Sequence, residues 1–469
     1  MITFVISIII LILGYILYGG LAEKIFAPDL RVTPAVSLSD GVDFVPMKRW
    51  RAFLVQLLNI AGTGPIFGAL MGACFGPVVF LWIVFGSVLG GAVHDYMTGM
   101  ISERNNGASI AELSGKYLGR GSKYIMRVFS VVLLILVGTV FVTSPAALIA
   151  RLTPEKFGTT FWTGIILAYY LIATMMPVDK VIGKLYPVFG TVLILMAVLI
   201  ISGVFVGGYR IPELKFEFYN SDGLPAWPYM FVTVACGAIS GFHATQSPII
   251  SKCITAEKEG KSIFYGAMIS EAVIALVWAA AGISFYGNKA ELSSQLNALG
   301  QSGVVYDISS GLLGKFGGIL AIIGVVACPI TSGDTAFRSA RLIMAEWTGI
   351  KQDKRINRLY ISVPLLIIGG ILTRLDFDVL WRYFSWSNQT LAMIALWCAT
   401  SYLIRNKKGI KSLITALPAA FMTAVITTYI LMAKEGLKLS STVSYPIGII
   451  VSFATLIIYL VSLKKEKAN

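Results

Sequence analysis

Apolar residues do not alternate with polar ones along this chain. They run in blocks of about twenty, separated by short polar segments. A helix rises about 1.5 Å per residue, so each block is long enough to cross a bilayer core of about 30 Å. Thirteen such spans are expected, roughly at 2–21, 52–76, 77–102, 123–148, 160–178, 185–207, 227–250, 262–287, 314–333, 357–374, 378–404, 412–433 and 444–463. The pattern predicts an all-α polytopic membrane protein. It excludes a soluble enzyme and a disulfide-rich secreted module. The first span has no preceding positive charge and no clear cleavage site, so an uncleaved extra N-terminal helix is expected.

Composition sharpens this picture. The 469 residues are 56% hydrophobic and 13% charged, so thirteen spans use nearly all of the apolar content and leave no room for a soluble domain. The net charge is +14. The basic residues lie in short inter-span loops rather than in a stripe with interleaved aromatics, which argues for membrane orientation and against nucleic-acid binding. Alternate loops hold 27 Lys and Arg against 8 in the opposite set. The N-terminus is therefore expected outside and the C-terminus in the cytoplasm. Cys74, Cys236, Cys328 and Cys398 fall in apolar segments and Cys253 in a loop; none has disulfide or metal-ligand spacing.

Two spans are visibly interrupted. The second contains Asn59-Ile60-Ala61-Gly62-Thr63-Gly64-Pro65. The seventh contains Gly237 through Pro248, a polar, glycine-punctuated run that includes Ser240, His243, Thr245 and Gln246. Unwound backbone at membrane depth is tolerated only against protein or a wet cavity. The interruptions open two five-span blocks, 52–207 and 227–404. Five is odd, so the second block is inverted relative to the first. Interrupted helices at matching places in two inverted halves point to a transporter's solute site. Two further spans, 412–463, follow. A third polar run, Ser385 to Thr390, is expected to interrupt the eleventh span and to bring Asn388 toward the site.

Ionisable residues inside spans need a reason, since each costs about 2.5–3.5 kcal/mol on insertion scales. His94, Asp95, His243, Glu271, Asp334 and Arg382 are of this kind. Asp95 admits two readings, a coupling group or an ion pair with a cytoplasmic arginine. Arg382 is expected to snorkel. Two coupling chemistries stay open. A proton could be carried by His94, Asp95, His243 or Asp334. Alternatively, Na⁺ could be held by carbonyls of Ile60 and Ala61 and hydroxyls of Thr331 and Ser332. Solute contacts are expected from Asn59, Gly62, Thr63, Gly64, Ser240, His243, Thr245, Gln246 and Asn388. The half-helix near Ile66 would aim its positive end at a carboxylate. No phosphate loop, zinc-protease motif or cofactor motif is present in the sequence.

Five motifs resemble the carbon-starvation protein A family, in the family's order: Asn59 to Pro65, Gly90 to Met97, Ala235 to His243, Thr335 to Arg341 and Ser387 to Ala392. The resemblance implies secondary uptake of peptides or pyruvate across the bacterial inner membrane when preferred carbon is scarce. It also implies a LeuT-like five-plus-five inverted repeat with extra N- and C-terminal helices. The chain is shorter than the best-known members and carries Gln56, Asn59 and Thr63 where longer members tend to have His and Ala. A membrane solute sensor without transport is the alternative from another class.

Overall fold

A computed structural model describes residues 1–41, 44–175, 178–352 and 354–468. The end of the span expected at 160–178 falls partly at 176–177, outside the described residues. The chain is helical throughout, and among the described residues the only β pairing is an isolated bridge between Tyr219 and Pro225.

The elements that position the site are α1 (Ile2–Phe26), α2 (Arg49–Ala61), α3 (Gly64–Ala73), α4 (Val79–Glu103), α5 (Arg120–Leu152), α6 (Thr159–Ala173) and α7 (Val178–Val206). They continue with α8 (Ala226–Thr233), α9 (Gly241–Ser251), α10 (Glu257–Tyr286), α11 (Lys289–Ile322) and α12 (Cys328–Thr348). Last come α13 (Arg355–Leu372), α14 (Phe377–Arg405), α15 (Gly409–Met432) and α16 (Ser441–Ala468).

Each expected span has a helical counterpart, though not every one is a single long apolar helix. Among the described residues nine helices are long and apolar enough to cross a membrane, or ten when α2 and α3 are taken as one span bent by 48°. The shortfall has physical causes. Helix α6 has 15 residues, α8 and α9 are separated by non-helical backbone, and α14 carries a polar run. Positive φ at Gly300 and Gly314 bends α11, and its last part continues through residues 323–327 into α12.

The outer surface is apolar and the interior is where polarity collects, as expected for a chain surrounded by lipid. Ile9, Ile12 and Ile16 of α1 and Ile449, Phe453 and Ile457 of α16 are exposed, whereas Gln56, Asn59, His94, Asp95, His243 and Glu271 are fully buried. At one end of the bundle Arg104 ties four segments together. Its guanidinium donates to both oxygens of buried Glu257 at 2.8 Å, to Tyr402 Oη at 2.9 Å and to the Ala27 carbonyl at 2.9 Å, and lies 4.0 Å over the Phe26 ring. Arg31 reaches the same carboxylate at 3.2 Å. Its hydrogen bonds hold exposed Asp29 below the usual carboxylate range.

Candidate functional site

The first break is short. Helix α2 ends at Ala61, and Gly62 adopts φ 48°, ψ −137°, a conformation open to glycine and strained for any residue with a Cβ. Helix α3 restarts at Gly64 with Pro65 in its first turn, where the missing N–H is no loss. The second break spans residues 234–240, with Gly237 at φ 88°. His243, Thr245 and Gln246 therefore lie on α9 and not in the interruption, a correction to the reading that extended the break to Pro248. The helix starts at Gly241 because Ser240 is extended, and Pro248 is accommodated inside α9.

Helix α4 supplies the polar groups that the unwound backbone lacks. Trp82 Nε1 donates to the Val234 carbonyl at 3.0 Å, and Ser87 Oγ to the Gly237 carbonyl at 2.8 Å. A Cβ on Gly91 would stand 2.1 Å from the Ala238 carbonyl oxygen, so only glycine lets α4 approach so closely. From the other side Asn388 caps α9: its Oδ1 accepts from Phe242 N at 2.6 Å and from Ser240 Oγ at 3.1 Å. Gln389 Nε2 donates to the Phe231 carbonyl at 3.0 Å. The expected interruption of the eleventh span is accordingly corrected. Helix α14 runs unbroken through Ser385 to Thr390: the Asn388 and Gln389 side chains hydrogen-bond to α8 and the start of α9, and Thr390 Oγ1 donates to the Trp386 carbonyl of its own helix.

The two breaks touch. A Cβ on Gly64 would meet Cys236 Sγ at 2.5 Å, and one on Gly237 would lie 3.6 Å from Pro65 Cβ. Beside this junction Asp95 is held between two histidines. His94 Nδ1 is 2.8 Å from Asp95 Oδ1, and His243 Nδ1 is 2.8 Å from Asp95 Oδ2. His243 Nε2 then lies 3.3 Å from Glu271 Oε2 on α10. All four side chains are fully buried. An ionised Asp95 accepts only, so each facing Nδ1 carries a proton. The His243 Nε2 lone pair would then oppose a carboxylate unless a proton sits between them. With that one shared proton, Asp95, His243 and Glu271 together carry one net negative charge; a second proton neutralises them. Cys236 Sγ joins His243 and Glu271 within 4.8 Å.

Gln56, Asn59 and Thr63 recur at helical spacing along α2 and its end, fully buried. Neither amide nor the hydroxyl has a hydrogen-bond partner among the described residues. The same holds for His94 Nε2 and Gln246 Oε1. Buried polar atoms are normally satisfied, so this unpaired set beside the first break stands out. Thr245 Oγ1, by contrast, donates to the Phe242 carbonyl at 2.6 Å, and Gln246 Nε2 reaches Thr245 at 3.0 Å and Ser339 at 3.4 Å.

The other candidate residues are placed elsewhere. Asp334 pairs with Arg338 at 3.5 Å, one turn along α12, and not with a histidine. Ser332 Oγ donates at 3.1 Å to the Leu58 carbonyl, just before Ile60 and Ala61 in the last turn of α2, while Thr331 Oγ1 bonds the Cys328 carbonyl of its own helix. Asp95 has histidine partners in place of the cytoplasmic arginine considered from the sequence. Arg382 is ion-paired to Glu435 and does not simply snorkel.

Comparison with known proteins fits this architecture. The profile of the family described as carbon starvation protein CstA matches residues 1–154, 147–290 and 290–429. The chain belongs to the CstA family. A Haemophilus influenzae membrane protein is 43% identical over 352 residues, covering 64% of this chain and 95% of that one. The peptide transporter CstA of Campylobacter jejuni is 25% identical over 577 residues, covering 94% and 81%. The pyruvate/proton symporter BtsT of Escherichia coli is 29% identical over 338 residues, 56% of this chain but 46% of BtsT. Among solved structures, an Eremococcus coleocola manganese transporter has a TM-score of 0.53 at 13% identity, covering 92% of this chain and 99% of that one. MhsT in complex with L-phenylalanine has a TM-score of 0.51 at 15% identity, covering 89% and 99%. These structures establish the LeuT-like fold, and the named CstA relatives make this a multi-pass membrane transporter of small molecules.

Within this CstA-family site three residues were not among the sequence candidates. Glu271 had a signal, an acid within an apolar span, but nothing in sequence tied it to His243. Gln56 precedes Asn59 by three residues and so shares its face. Cys236 had only its place in the Ala235 to His243 motif, and the structure puts it inside the second break.

Proposed function

We propose that the protein imports a small organic solute, a short peptide or a pyruvate-like carboxylate, by proton symport across the bacterial inner membrane under carbon limitation. The observation that carries this reading is the fully buried line His94–Asp95–His243–Glu271, whose net charge changes with one proton. In a dry interior an added charge is severely penalised, so loading the proton and occluding the solute become linked. Solute contacts fall to the unpaired Gln56, Asn59, Thr63 and Gln246, with the N-terminal end of α3 toward a carboxylate. The repeats are read as 52–207 and 227–404, with the N-terminus outside. The names of the C. jejuni and E. coli relatives support both solute classes, and that of BtsT supports proton coupling.

Na⁺ coupling is the second reading, favoured by Ser332 standing against the last turn of α2. Proteoliposomes with an imposed inward pH gradient decide between them. Under proton symport, uptake of labelled dialanine or pyruvate proceeds without Na⁺, and Asp95→Asn or His243→Gln uncouples it. Uptake that requires Na⁺, ignores the pH gradient and survives both substitutions would overturn the proton reading. A solute sensor would bind without any concentrative uptake.

A further inference from the structure

Helix α14 connects two chemically opposite ends of the bundle. Near its C-terminus Tyr402 joins the Arg104 cluster; at its N-terminus it lines an open cavity of about 420 Å³. This volume lies within the range of roughly 300–1,000 Å³ typical of small-molecule sites. The charges lining the cavity are Asp222, Asp376, Asp378 and Glu435 against Arg382 and Lys434. Arg382 is already engaged by Glu435, so the free balance is strongly negative.

The carboxylates are not the only observation. Trp381 and Ser385 line the same cavity at 2% and 1% exposure, and neither Trp381 Nε1 nor Ser385 Oγ has a hydrogen-bond partner among the described residues. The second oxygen of Glu435, a side chain only 8% exposed, is likewise unpaired. Residues lining this one cavity thus carry a buried indole N–H, a hydroxyl and a carboxylate oxygen without partners among the described residues. Trp381 also connects the cavity to the site. A Cβ on Gly68 of α3 would lie 3.6 Å from Trp381 Cζ2 and 3.3 Å from the Thr233 carbonyl. Helix α3, which begins at the first break, thus meets the cavity twice, through Met71 in its lining and through Trp381 packed at Gly68.

We propose that this cavity is the capture site on the solute's path, and that it selects molecules with a free ammonium group, short zwitterionic peptides, over simple carboxylate anions. The proposal rests on the reading of the chain as a solute importer. An ammonium group finds Asp378, Asp376 and the unpaired Glu435 oxygen, with the Trp381 face nearby for a cation–π contact. A peptide's terminal carboxylate has Lys434 and the Trp381 N–H. A pyruvate-like anion meets four carboxylates and one uncommitted cation, and gains no partner for them.

The test needs no ion gradient. Binding of labelled dialanine to the full chain in detergent is measured by equilibrium dialysis, with N-acetyl-dialanine and pyruvate as competitors. Both competitors are expected to be at least about tenfold weaker than dialanine, and Asp378→Asn should weaken dialanine about tenfold, the size of one lost charge-assisted contact. Asp222→Asn, outside the first turn of α14, guards against a folding defect in the first variant; thermal unfolding of each is followed in parallel. The measurement is repeated in Asn59→Ala to remove binding at the breaks. The proposal is overturned by equal competition from N-acetyl-dialanine, by wild-type affinity in both aspartate variants, or by no dialanine binding at all. If dialanine binds as expected while an imposed pH gradient drives no uptake, the coupling reading fails and the capture site stands.

Discussion

Replacing Gly62 by alanine tests whether the bend between α2 and α3 is a functional geometry. Two penalties add. The backbone at φ 48°, ψ −137° costs a residue with a Cβ about 1–3 kcal/mol. The new Cβ would stand 2.7 Å from Phe141 Cζ and 3.1 Å from Cε2, an overpacking worth about another 1–3 kcal/mol. The sum is comparable to a substantial part of a typical folding free energy of about 5–15 kcal/mol, so the protein folds with reduced stability and a displaced bend. Uptake into proteoliposomes should fall by at least about tenfold, and the thermal midpoint of the purified protein should drop. Phe141→Ala in the same background removes the contact but not the torsional strain, so it should restore stability only in part. Gly164→Ala, on the exposed side of α6 with nothing within 4 Å of the new carbon, should leave uptake within about twofold, helped by the better helix propensity of alanine. Normal uptake in Gly62→Ala, or full rescue by Phe141→Ala, would refute the reasoning.

Other consequences can be measured separately. Asn388→Ala leaves the Phe242 N–H unpaired in a buried site and the Ser240 hydroxyl with Cys236 Sγ alone, which should destabilise by about 1–3 kcal/mol, whereas Asn388→Asp keeps the accepting oxygen and should be milder. Thermal unfolding of the two variants reads the difference; equal loss would show that Asn388 acts through packing. Arg104→Ala leaves the fully buried Glu257 carboxylate with Arg31 at 3.2 Å and the Asp29 N–H, and the loss of its two charge-assisted bonds should lower stability by about 1.5–3 kcal/mol, with partial recovery when Glu257→Gln is added. No recovery in the double variant would locate the role of Arg104 in its Tyr402 and Phe26 contacts instead. Cysteines introduced near Lys258 and Lys407 should be shielded from impermeant thiol reagents in intact cells while one near Lys215 reacts, and the reverse pattern would invert the proposed orientation.

The parts of this molecule legible in sequence are those set by local chemistry. Gly62 and Pro65 announce the first break because no other residues make a sharp turn in an apolar helix so readily, and the apolar blocks give the helices. The second break was read too long because Pro248 and the polar residues before it resemble an interruption. Tertiary bonds from α9 to α4, α10 and α14 hold that segment helical. Asn388 and Gln389 misled for the same reason: their partners are 146 and 158 residues away. The pairing of Glu271 with His243 spans two helices and leaves no periodic trace, so only coordinates reveal it.

The unwound segment at 234–240 and α9 are fastened to α4 at four places: Trp82, Ser87, the close pass of Gly91, and the Asp95–His243 bond. Separating the two would mean abandoning all four together, inside a lipid environment that offers no water in exchange. Helix α4 and the second break are thus tied together as one block. Among the described residues the first break has one such hydrogen bond, from Ser332, besides its packing on the Phe141 ring and on Cys236 and Gly237 of the second break. Under the proposed transport cycle the pivot is therefore expected at Gly62, with the second break as the anvil it moves against.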